Sequence, residues 1–62
     1  MVDYRKTIAL EVLECAIDAG DDYIVSICRK AIIAARFGWK KYGNEREFNI
    51  IREFWHEVVV QR

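Results

Sequence analysis

Glu53 and His56 stand three residues apart, the spacing at which a helix offers a carboxylate and an imidazole to one metal ion, as di-iron bundles do. On a helix over 45–61 both fall on the polar side, with Arg46, Asn49, Arg52 and Glu57. Such a centre also needs carboxylates projecting inward, and Glu11 and Glu14 fall on the narrow polar strip of the first helix. A solvated Glu–His pair is expected, and no metal. Gly20-Asp21-Asp22 spells the acidic triad of polymerase active sites, where it occupies a β-turn. Here it separates two helical patterns in a chain far too small for that fold, and it reads as a helix stop followed by a helix cap. Cys15 and Cys28 are nearly equidistant from that turn, so an antiparallel hairpin would hold them at similar heights. A disulfide would need their Cα atoms within about 7 Å. Free thiols packed as small apolar groups are the expectation for a chain without a secretory leader. The one histidine has no Cys or Ser at helical spacing on its own face. Ser26 has no base near it in sequence, and no glycine-rich phosphate loop is present. No enzyme activity and no cofactor are expected.

Recognition chemistry is better represented. Arg29, Lys30, Arg36, Lys40 and Lys41 lie in residues 23–42 with no acid among them. Residues 1–22 hold six carboxylates (Asp3, Glu11, Glu14, Asp18, Asp21 and Asp22) against Arg5 and Lys6. The net charge of zero therefore hides an internal dipole, and sorted charge bears on partners. Ile33 and Phe37 sit one turn apart inside the basic stretch, on its charged side. Apolar anchors within a cationic rim suit a protein interface, with a partner that is acidic or apolar. The same cations could meet phosphates, with Phe37 stacking on a base. The balance of ten acids to ten bases weighs against nucleic acid, since domains that bind it are usually basic overall. Ala16 and Gly20 have helix-turn-helix spacing, but that motif wants apolar residues where this chain has Asp21 and Ser26. The predicted binding set is Arg29, Lys30, Ile33, Arg36, Phe37, Lys40 and Lys41.

Three helices must position these residues. Gly20 and Gly43 are each followed by a side-chain acceptor (Asp21-Asp22 and Asn44), the boundary between one helix and the next. Asn44 with Glu47 resembles a capping box, and Asp3 is placed to cap the first helix. The spans predicted are about 3–19, 22–42 and 45–61. The third is cleanly amphipathic, with Phe48, Ile51, Phe54, Trp55, Val58 and Val59 on one side. The first is apolar over most of its circumference, which implies cover from more than one direction. On the second, Ala31, Ala34, Ala35 and Gly38 form a small-residue strip that lets another helix approach. Trp39, Tyr42, Phe48, Phe54 and Trp55 are expected to cluster around the second turn as core.

The fold class predicted is all-α: one helical domain over 1–62, a three-helix bundle of antiparallel helices. A domain of 62 residues buries only about 60% of its unfolded surface, yet 53% of this chain is hydrophobic. The surplus predicts an oligomer, a homodimer whose seam uses the extra arc of helix 1 or the Ile33/Phe37 patch. No apolar run reaches the length of a membrane span, and the start of the chain lacks a secretory layout. A cytoplasmic, reducing location is expected. The function predicted is a small, self-associating, non-catalytic protein-binding module (an adaptor, inhibitor or regulator), the alternative being a nucleic-acid-binding accessory protein that uses the basic second helix.

Overall fold

Asp3, Asp21 and Asn44 stand where the chain turns into a helix, and each accepts a hydrogen bond from the first turn. The donors are the amides of Arg5 at 3.0 Å, Ile24 at 3.2 Å and Glu47 at 3.2 Å. These are amides that a helix start leaves without a backbone partner. The computed structural model describes residues 3–61; Met1, Val2 and Arg62 of the predicted 1–62 domain lie outside the described residues. The described chain is all-helical. Its elements are α1 (Tyr4–Ala19), α2 (Asp22–Phe37), α3 (Trp39–Tyr42) and α4 (Glu45–Trp55), with a π-helical turn over His56–Val60.

Two of the predicted spans need correction. The helix expected over 22–42 is divided at Gly38, whose φ of 135° and ψ of 101° suit glycine and lie outside the helical region. The break has a packing cause. An unbroken helix would carry Trp39 toward the α1 side of α2, near the line of Cys28 and Ile32. The turn at Gly38 instead sets the Trp39 ring edge-on to Phe48 of α4, with centroids 5.5 Å apart. Its indole Nε1 donates to Glu45 Oε1 at 2.7 Å. The helix expected over 45–61 is α-helical only to Trp55 and then widens into the π turn. That change coincides with Val58, Val59 and Val60, β-branched side chains that crowd the preceding turn of an α-helix. Asp3 caps the first helix, which begins at Tyr4.

Two glycines are required for different reasons. Gly20 closes α1 in the left-handed conformation (φ 72°, ψ 26°), and its N–H reaches the carbonyls of Ala16 and Ile17. Gly43 is extended (φ −73°, ψ 152°). There the constraint is space, because a Cβ would lie 2.5 Å from the Trp39 ring and from the Trp39 carbonyl oxygen.

α1, α2 and α4 touch one another pairwise, and α3 packs on α2. The core is Ile8, Ala9, Val12 and Ala16 of α1, Ile24, Ile27, Cys28, Ala31 and Ala34 of α2, and Phe48 and Ile51 of α4. Of the predicted small-residue strip, Ala31 and Ala34 are buried, while Ala35 is half-buried and Gly38 is exposed beyond the end of α2; with the fully enclosed Ala9 and Ala16 of α1, the buried pair leaves room for a close approach of the helices. Polar ties cross the seams. Trp55 Nε1 donates to Glu11 Oε2 at 2.5 Å, joining α4 to α1, and Lys30 Nζ donates to Glu47 Oε2 at 3.2 Å, joining α2 to α4. Glu11 thus turns to α4 and is not part of an outer strip. Because Glu47 reaches Lys30, only the Asn44 half of the capping box forms. The aromatic cluster is also smaller than expected: Phe48 receives Trp39 and Tyr4 edge-on, Trp55 serves the α1 seam, and Tyr42 is exposed.

Candidate functional site on the outer face of α2

The spacing of residues along α2 divides it into two sides. Ile24, Ile27, Cys28, Ala31 and Ala34 face α1 and α4 and are buried. Ile33 and Phe37 face away and are 54% and 65% exposed. Two large apolar side chains held in water by a helix whose opposite side is a packed core are surface by construction, since neither can turn inward without unpacking α2. Arg29 and Arg36 are exposed beside them. The Arg36 guanidinium lies over the Phe37 ring at 5.4 Å from its centroid, which orders both side chains without hiding the ring.

The structure adds a residue that the sequence reading passed over. Tyr23 is 56% exposed at the start of α2. With Ser26, Lys30, Ile33 and Phe37 it follows alternating steps of three and four residues, the pattern of one continuous helix seam. The recurrence of 23, 30 and 37 every seven residues was the available signal. The stripe from Tyr23 to Phe37 is about 21 Å long at the α-helical rise of 1.5 Å per residue.

The other predicted members divide. Lys30 lies on the stripe, but its ammonium is committed to Glu47 of α4. Lys40 and Lys41 belong to α3, so the periodicity of α2 does not place them on its face. Both are exposed, and Lys41 Nζ lies 5.3 Å from the centroid of the Tyr42 ring. The set gathered by α2 itself is Tyr23, Arg29, Lys30, Ile33, Arg36 and Phe37.

The residues considered for reaction chemistry are placed otherwise. Glu53 and His56 are exposed, and no group of three potential metal ligands occurs among the described residues. Asp21 is spent on its cap. The void between α2, α3 and α4, bordered by Ile27, Ala31, Trp39 and Glu47, holds about 10 Å³, room for a single water. Both cysteines are free. Burial pushes the Cys28 thiol from 9.0 up to about 11, because the core does not solvate a thiolate. Half-buried Cys15 should therefore be alkylated by iodoacetamide at pH 8 well before Cys28, and mass spectrometry of the digested protein reads the order. Equal rates at the two sites would contradict the packing of Cys28.

No protein-family model, curated protein or solved structure matches the chain.

Proposed function

We propose that the chain is a small non-catalytic protein-binding module, a three-helix bundle that self-associates and that docks an acidic, amphipathic segment of another protein on the outer face of α2. The observation that carries this reading is the exposure of Phe37 and Ile33 one turn apart beside Arg29 and Arg36. An aromatic ring with an arginine stacked on it is the composition that concentrates binding energy in interfaces. The seam that Tyr23 extends suits a helical partner segment. The flanking guanidiniums favour carboxylates on that segment and speed its encounter. Free cysteines fit a reducing, cytoplasmic setting.

The test uses a library of acidic amphipathic peptides displayed against the purified protein, with amide chemical-shift mapping of the bound state. Shifts should centre on Tyr23, Ile33 and Phe37. Phe37→Asp, at a site that takes no part in the core, should keep the helical spectrum and weaken the selected peptides by about thirtyfold or more, the loss of one interface anchor. Peptides that bind Phe37→Asp as they bind the wild type would sink the proposal. Binding of a generic single-stranded oligonucleotide whose affinity falls by orders of magnitude between 50 and 200 mM salt would favour phosphate recognition instead.

A further inference from the structure

α1 carries a second apolar line that the fold leaves open. Lys6, Leu10, Leu13 and Ile17 succeed one another at steps of four, three and four residues, which aligns them along one side of the helix. Tyr4 and Glu11 mark the side turned to α4, through Phe48 and Trp55. Leu10 and Ile17 lie on the far side, 45% and 57% exposed, with Leu13 half-buried between them. On α2, Lys30 marks the α4 side through Glu47. Val25 and Ile32, both half-buried, lie across the helix from Lys30. The α1–α2 hairpin thus has an apolar strip of Leu10, Leu13, Ile17, Val25 and Ile32 on the face that α4 does not cover. The two ends of that strip differ in charge. On α2, Asp22 stands beside the strip at the turn end and Arg36 beside it at the open end, two heptads apart on one side of the helix. Among the described residues neither joins an intrachain ion pair; the pairs present are Arg5–Asp3 and Lys30–Glu47.

We propose that this strip seats a second copy of the same chain, laid face to face and antiparallel about a two-fold axis that crosses the hairpin near the level of Val12 and Cys28. That operation sets Leu10 of each copy against Leu13 of the other, and Val25 of each against Ile32 of the other. It brings Arg36 of each copy to Asp22 of the other, so that both ends of the strip find opposite charge. Apolar and charged positions are matched by one axis, which is what a self-complementary interface requires. The parallel arrangement would gather Lys6 and Arg36 of both copies at one end and Asp22 of both at the other, and like charges at short range repel. The inference rests on the self-association proposed above and specifies its surface and direction.

Sedimentation equilibrium of the full chain tests it, with circular dichroism confirming that each variant stays helical. The wild type should dimerise. Leu10→Asp, on the exposed side of α1, should raise the dimer Kd by a hundredfold or so, the loss of two central apolar contacts. Arg36→Glu and Asp22→Lys should each weaken the dimer by about tenfold, since each sets like charges together twice. The double variant Arg36→Glu/Asp22→Lys should recover most of the wild-type affinity, as a swapped ion pair does. Tighter association of Arg36→Glu would overturn the antiparallel arrangement. A dimer that survives Leu10→Asp but is lost in Phe37→Asp would overturn the inference and leave self-association standing on the outer face of α2. A wild type that is monomeric at millimolar concentration would overturn both.

Discussion

Ile51→Ala should leave the chain largely unfolded at 25 °C. Ile51 is fully enclosed where α4 meets the core of α1 and α2, and it and Phe48 are the buried residues of α4. Cutting a buried isoleucine back to alanine costs about 2–5 kcal/mol, the upper part of the range applying where the surroundings cannot collapse into the space. The enclosed members of the same core are poor fillers: Ala9, Ala16 and Ala31 are short, and Ile27 and Val12 are themselves fully buried. A chain of this length has about 3–9 kcal/mol of stability in all, so one such cavity consumes most of it. Urea titration followed by circular dichroism reads the effect. Val60→Ala, at an exposed position of the π turn, is the control and should move the midpoint hardly at all. An Ile51→Ala protein with a midpoint near that of the wild type would show that α4 is not anchored through this side chain.

Gly43→Ala should destabilise the fold by about 1–3 kcal/mol, the usual range for forcing a methyl into occupied space. The added Cβ would lie 2.5–2.6 Å from the Trp39 ring and 2.5 Å from the Trp39 carbonyl oxygen. The backbone has little freedom to yield, because the Gly43 N–H donates to that same carbonyl at 2.8 Å. The ring has little freedom either, held by Phe48 on one side and by its Nε1 bond to Glu45. Relief must therefore come from Trp39 leaving its place, and its fluorescence should shift toward that of solvated indole along with the lower melting temperature. Gly38→Ala is the instructive contrast, because nothing lies within 4 Å of its added methyl and only the positive φ resists. Unchanged indole emission in Gly43→Ala would mean that the turn can open without disturbing Trp39.

Much of the fold is legible in residue order, for local reasons. Asp3, Asp21 and Asn44 cap helices because a short acceptor beside a turn finds the free amides of the next segment whatever the rest of the molecule does. The exposure of Ile33 and Phe37 follows from one helix having a single side to spare. What escaped depends on contacts far apart in the chain. The sequence places Trp39 and Phe48 in one aromatic cluster, but nothing near Gly38 tells that their meeting breaks the helix, so a glycine with helical neighbours reads as tolerated in mid-helix. Glu11 reads as an outward carboxylate until Trp55, forty-four positions away, is known to donate to it. Lys30 counts as one more cation of the basic stretch until Glu47 takes it up. Tyr23 was missed for another reason: next to two aspartates at a turn it looks like the edge of an element, and only the full length of α2 aligns it with Ile33 and Phe37.

For the partner proposed above, the interruption at Gly38 would also act as a ruler. A segment laid along α2 would find its last apolar foothold on that helix at Phe37, where the chain changes course into a single turn bearing Lys40 and Lys41. The groove-filling part of any such ligand is thereby limited to about four helical turns at 3.6 residues each. A longer ligand would next meet the ammonium groups of Lys40 and Lys41 beside the exposed Tyr42 ring, so an acidic tail after a short apolar core is the layout that this length rewards.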